Sequence, residues 1–192
     1  MKKITVATWV TLIRVILVVP FVVFLMVGGK AGTILALATF VVASLSDALD
    51  GYLARSRGEV SNMGAFLDPL ADKMLVNSAF VCLAVLEVVP VLVPVIFICR
   101  DFAVDGIRMM SAREGKTVSA SILGKLKTAS QMVVTVMLLL ERAVLANIDL
   151  ASFNLTVWMV VHTVEMVILV LAVTFCLLSG AEYVSKGCRE LF

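Results

Sequence analysis

Four aspartates stand at spacings that bring carboxylates together. From Asp47 the chain reads Asp47-Ala48-Leu49-Asp50-Gly51-Tyr52-Leu53-Ala54-Arg55, and eight residues later Gly64-Ala65-Phe66-Leu67-Asp68-Pro69-Leu70-Ala71-Asp72. Helical residues three and four apart share a face, so Asp47, Asp50, Gly51 and Ala54 form one stripe and Gly64, Asp68 and Asp72 another. The polar stretch Ser56 to Asn62 between them reads as a turn. Two helices joined by it can face each other and gather all four acids. One acid at the centre of a membrane span costs about 2.5–3.5 kcal/mol, so four cost roughly 10–14 before their mutual repulsion is counted. A chain bears that cost when the acids hold cations or open to water. Carboxylate oxygens suit hard divalent ions, and magnesium in particular takes a few carboxylates together with a substrate phosphate. The plainer reading is four acids in ordinary ion pairs or on a solvated face. Regular spacing inside apolar sequence favours the metal reading.

The elements that must position these acids are membrane helices. Hydrophobic residues make up 61% of the 192 and charged residues 16%, against about 25% charged in ordinary globular chains. The composition is that of a polytopic membrane protein. Six stretches are long and apolar enough to span: Val10 to Val27, Thr33 to Arg55, Gly64 to Leu86, Pro90 to Met110, Ser121 to Leu145 and Phe153 to Tyr183. Pro20 permits a kink in the first, and Gly28, Gly29 and Gly32 break the chain after it. Met1-Lys2-Lys3 and the apolar run behind it read as a retained helix rather than a signal peptide, because the run is long and carries Arg14. Basic residues set the orientation. Lys2, Lys3, Arg55, Arg57, Arg113, Lys116, Lys125, Lys127, Lys186 and Arg189 fall on one side, and only Lys30 and Arg142 on the other. Both termini and the acidic motif are therefore expected at the cytoplasmic side. The cysteines have no Cys-x-x-Cys spacing, and neither a disulfide nor a metal site is read from them.

Arg14, Lys73, Arg100 and Arg108 remain inside spans, where charge is seldom idle. Arg100 and Arg108 share a helical face. Guanidinium groups fit phosphate oxygens bidentately, so this face suits a phosphate pocket that Lys125 and Lys127 can complete. The competing reading is an internal ion-pair ladder of Asp101 and Asp105 with Arg108 and Lys73, with Lys125 and Lys127 serving only orientation. His162, the single histidine, reads as a packing residue. Glu165 and Glu182 have no assigned role.

At every defined position, Asp47-x2-Asp50-Gly51-x2-Ala54-Arg55-x8-Gly64-x3-Asp68-x3-Asp72 resembles the signature of the CDP-alcohol phosphotransferase family. Ser44-Leu45-Ser46-Asp47, Asn62 to Lys73, Arg100 to Arg108, Gly124-Lys125-Leu126-Lys127-Thr128-Ala129 and Leu178 to Tyr183 are similar to the bacterial members that make phosphatidylglycerophosphate. The segment Thr5 to Arg14 lacks the Asn-Pro element common in that group, and Arg100-Asp101 stands where Arg-Glu is usual. The resemblance implies an all-α fold of six transmembrane helices, forming one integral membrane catalytic domain over residues 1–192. It also implies a homodimer in the bacterial cytoplasmic membrane. Asp47, Asp50, Asp68 and Asp72 would hold one or two Mg2+ or Mn2+ ions, and Asp50, Gly51, Ala54 and Arg55 would contact the CDP moiety.

Side-chain size agrees with that placement. Gly51 and Ala54 leave room for a nucleotide against the carboxylate stripe, and Arg55 can reach a diphosphate. The implied reaction moves a phosphatidyl group from CDP-diacylglycerol to glycerol 3-phosphate, releasing CMP, with Asp72 as general base. A dianionic acceptor matches Arg100, Arg108, Lys125 and Lys127. An inositol phosphate acceptor matches them too, whereas choline, ethanolamine or serine would need fewer cations. A divalent cation transporter also places acids in a membrane, but it has no use for Gly51, Ala54 and Arg55. A prenyl transferase likewise needs no small-residue nucleotide shelf.

Overall fold

The computed structural model describes the backbone of residues 6–57, 62–113, 121–148 and 154–191, and the side chains of residues 13–46, 73–111, 121–148 and 154–186. The described residues form six helices and no strand: α1 Val6–Val27, α2 Gly29–Arg57, α3 Asn62–Val85, α4 Leu92–Arg113, α5 Ile122–Asn147 and α6 Leu155–Leu191. All six expected helices are present. Three of them contain a stretch long and apolar enough to cross a membrane: Gly29–Ser46 in α2, Ile122–Asn147, and Leu155–Lys186 in α6. Among the described residues, α1 and α3 contribute the shorter apolar runs Ile13–Val27 and Lys73–Val85.

α1 packs on α2 and α3, α5 on α6 and α2, and α4 on α6 and α3. Aromatic rings key these contacts. Phe21 of α1 meets Phe40 of α2 at 5.7 Å between centroids, and Phe80 of α3 meets Phe97 of α4 edge-on at 4.9 Å. Leu25, Leu83, Val134, Leu138 and Ala172 complete a core from which solvent is excluded. The outer surface carries Ile16, Val19, Val85, Leu92, Phe102 and Val170, all exposed. An apolar exterior of this extent suits lipid contact rather than water.

The glycines after α1 divide into two jobs. Gly28 and Gly29 hold φ of +66° and +68° and make the turn, as expected, since glycine enters the left-handed region without steric cost. Gly32 does not break the chain, because it lies inside α2. A Cβ there would stand 2.7 Å from the Phe24 carbonyl oxygen of α1. Its missing side chain lets the two helices close, the usual device where no water drives helices together. Gly32→Val should therefore cost about 1–3 kcal/mol, the range for overpacking, and lower the thermal unfolding midpoint in detergent. Gly106→Ala is the control, because a Cβ at Gly106 meets nothing within 4 Å.

Candidate active site

The acidic motif straddles the join between α2 and α3. α2 stays helical through Arg57 and α3 begins at Asn62, so the three- and four-residue spacings hold in real helices. Asp47 and Asp50 lie in the last turns of α2, and Asp68 and Asp72 in the first turns of α3. The side chains of Asp47, Asp50, Gly51, Ala54, Arg55, Asp68 and Asp72 lie outside the described residues. A donor set made only of carboxylates, on two consecutive helix ends, fits a hard divalent ion by its chemistry.

Lys73 follows Asp72 on α3 and lines a cavity of about 540 Å³. Arg100 and Arg108 from α4, Lys125 and Lys127 from α5, and Tyr183 from α6 line the same space. The four cations expected to receive an acceptor phosphate are thus brought together, although they come from two helices. Ser121 positions the α5 pair. It caps the helix, its side chain accepting from the Gly124 backbone N–H at 3.1 Å. That start turns the positive end of the α5 dipole, along with Lys125 and Lys127, toward the cavity.

Tyr183 is the hinge-pin of the arrangement and is 2% exposed. Its hydroxyl oxygen accepts from Arg108 Nη2 at 2.7 Å and from the Ser121 backbone N–H at 3.0 Å. The guanidinium carbons of Arg108 and Arg100 lie 5.0 and 5.6 Å from the ring centre, within cation–π range. Arg100 also donates from Nη2 to Ser179 Oγ at 2.8 Å. Its aliphatic stem passes over Gly180, where a Cβ would stand 3.1 Å from Arg100 Cγ. One aromatic ring and a Ser-Gly step of α6 therefore fix two arginines of α4.

The ladder reading holds only in part. Lys73 pairs with Asp105, as that reading has it. Asp101, however, accepts from Lys127 Nζ at 2.7 Å and lies 3.3 Å from Arg100 Nη1. Its partners are therefore not Arg108, which goes to Tyr183. Helical spacing along α4 cannot show what α5 and α6 present across the gap. The lining offers five cations, Lys73, Arg100, Arg108, Lys125 and Lys127. Among the described residues Asp101 and Asp105 balance two of them, leaving an excess of three positive charges. Gln131 lines the same cavity, and among the described residues its buried Nε2 has no hydrogen-bond partner.

Sequence reasoning overlooked Tyr183, Ser179 and Gln131. Ser179 and Tyr183 lie in the stretch Leu178 to Tyr183 that carries part of the family resemblance but was given no role in the site, and Gln131 is a lone amide one turn after Lys127. Glu182, unassigned from sequence, pairs with Lys186 at 2.6 Å. Tyr183→Phe removes the oxygen that Arg108 and Ser121 share. At about 0.5–1.5 kcal/mol per hydrogen bond, a several-fold weaker grip on an anionic acceptor is expected, read as a raised KM with kcat nearly unchanged.

Comparison with known proteins gives these residues a context. The family model for CDP-alcohol phosphatidyltransferase matches residues 4–178. The chain is 38% identical over 165 residues to the CDP-diacylglycerol–glycerol-3-phosphate 3-phosphatidyltransferase of Bacillus subtilis strain 168, covering 86% of this chain and 77% of that one. It is 32% identical over 188 residues to a probable phosphatidylglycerophosphate synthase of Mycobacterium tuberculosis strain H37Rv, covering 96% and 82%. A Yersinia enterocolitica CDP-diacylglycerol–glycerol-3-phosphate 3-phosphatidyltransferase is 36% identical over 157 residues, covering 80% and 85%. With the family signature unbroken from Asp47 to Asp72 and the match running through five of its helices and into the sixth, this chain belongs to the CDP-alcohol phosphatidyltransferase family.

Proposed function

We propose that this chain transfers the phosphatidyl group of CDP-diacylglycerol to glycerol 3-phosphate, giving phosphatidylglycerophosphate and CMP. The observation that carries the acceptor is the gathering of Arg100, Arg108, Lys125 and Lys127 around one cavity whose α3 wall begins with Lys73, the residue after Asp72. A phosphate dianion seated there lies next to the motif that handles the nucleotide. The relatives named for glycerol 3-phosphate point the same way.

The acceptor phosphate binds the excess positive charge of the cavity, Arg108 and Lys125 foremost, because Lys127 and Arg100 already share Asp101. Gln131 Nε2 offers a further donor. Gly51 and Ala54 leave space for the cytidine end of the donor, Asp50 contacts it, and Arg55 meets its diphosphate. Asp47, Asp50, Asp68 and Asp72 would hold one or two Mg2+ or Mn2+ ions, which would supply positive charge for the diphosphate and the departing CMP. The acceptor hydroxyl oxygen attacks the phosphorus that carries diacylglycerol. The bond from that phosphorus to the CMP oxygen breaks, and its electron pair leaves with CMP. Asp72 takes the hydroxyl proton, and would do so as the most loosely held of the four carboxylates when metal is bound.

Residues 1–192 work as one integral membrane domain, with all six helices crossing or entering the bilayer. The side bearing ten of the loop cations faces the cytoplasm of a bacterium, where both substrates' polar groups are found. Two copies form a homodimer. The test is an assay of the purified full chain with CDP-diacylglycerol and radiolabelled glycerol 3-phosphate, with and without magnesium, following CMP. Metal-dependent CMP release matched by label in lipid is expected. Release with an inositol phosphate but not with glycerol 3-phosphate would move the acceptor, and no release with either would overturn the reading.

A further inference from the structure

At the far end of α5 lies a second group of ligand-bearing side chains that the transfer reaction does not use. Glu141 of α5 meets His162 and Glu165 from the early turns of α6, and one ligand atom of each lies within 4.8 Å of the others. Fourteen residues separate Lys127 from Glu141, about 21 Å along the helix axis at 1.5 Å per residue. The group is therefore remote from the cationic cavity.

His162 Nδ1 stands 3.5 Å from Glu141 Oε1 and 3.8 Å from Glu165 Oε2, long for hydrogen bonds. Glu165 is 1% exposed. Both of its carboxylate oxygens, Glu141 Oε1 and His162 Nδ1 are buried, and among the described residues no donor side chain satisfies them, the two carboxyl groups having only each other. Such groups are costly to leave unsatisfied, and two carboxylates facing each other between apolar helices repel as well. Trp158 stacks on the imidazole at 5.2 Å and 14°, which holds the ring in place. His162 is thus more than the packing residue that its apolar surroundings suggested.

We infer that Glu141, His162 and Glu165 bind a divalent transition metal of the zinc type, clamping α5 to α6. A divalent ion cancels both carboxylate charges and gives the unsatisfied atoms a common partner. Imidazole with carboxylate suits zinc and its neighbours rather than magnesium or calcium. Tetrahedral zinc with bonds of about 2.0–2.1 Å holds its ligand atoms roughly 3.3 Å apart, so the three ligand atoms, which lie within 4.8 Å of one another, draw together on binding. Three protein ligands leave one position open. Glu141 and Glu165 also line a cavity of about 410 Å³ with Trp158 and Asn154, which supplies an entry path and room for a bound water.

The test uses the full chain in detergent, stripped with chelator, in a Trp9→Phe background so that Trp158 is the only tryptophan. Cobalt(II), a paramagnetic stand-in for zinc, should quench Trp158 saturably, and bound zinc per chain should fall by one in His162→Ala. Glu165→Gln and Glu141→Gln should each weaken cobalt binding about 100-fold or more, at least the loss seen when a mere supporting residue is removed. Should His162→Ala fail to fold, the two glutamine variants decide the matter. Retained CMP release in them shows that the chain is folded and keeps this site separate from the transfer reaction. Trp158 left unquenched at saturating cobalt, or variants that bind as tightly as the parent, would overturn the inference.

Discussion

Asp72→Asn is expected to lower kcat by about 10²- to 10⁴-fold, the usual contribution of a positioned general base, while binding of CDP-diacylglycerol changes little. Asparagine keeps the size of aspartate but cannot accept the acceptor's proton. Asp72 lies in the early turns of α3, and the next residue, Lys73, already lines the cationic cavity. Of the four motif acids it is the one adjacent in sequence to that cavity. Single-turnover CMP release and nucleotide affinity, measured on the same preparation with magnesium present, separate the two effects. Near-normal turnover in Asp72→Asn would remove it as the base. Equal losses of turnover and nucleotide affinity would make it a metal ligand only.

Arg108→Ala is expected to raise the KM for glycerol 3-phosphate by about tenfold, with a smaller change for CDP-diacylglycerol. A hydrogen bond to a charged group contributes about 1.5–3 kcal/mol. The lower part of that range applies here, because Arg108 is exposed. Its guanidinium is held by Tyr183, and no carboxylate among the described residues pairs with it in the way that Asp105 pairs with Lys73. Lys125→Ala should act in the same direction, and Arg108→Lys should recover part of the loss because it restores charge without the planar fork. Equal effects on both substrates would mean that Arg108 supports the fold of the site rather than the acceptor. A stopped-assay series over both substrate concentrations makes the distinction.

Much of the molecule was legible because lipid imposes strict conditions on sequence. Six helices follow from six apolar runs, and the turn at Gly28-Gly29 follows from two residues that accept positive φ. The helix ends moved by a few residues, as with α6, which continues past Tyr183 to Leu191. Apolarity had marked only the part fit for the membrane, whereas hydrogen bonding carries the helix on into polar sequence. Gly32 was misread for a related reason. A glycine that breaks a chain and a glycine that lets two helices touch look alike until the neighbouring Phe24 carbonyl is in view.

By itself, the sequence determined the helical class, the acidic motif with its spacing, and the set of cations competing for a phosphate, because these depend on residue type and on periodicity along one helix. Only the tertiary structure decided which cation meets which anion. It assigned Asp101 to Lys127, sent Arg108 to Tyr183, and set Glu141 beside His162 and Glu165. Those choices lie between helices up to 79 residues apart in the chain, as Arg100 and Ser179 are. Contact across such a distance depends on how packed helices are rotated and offset against each other, and no local spacing records that.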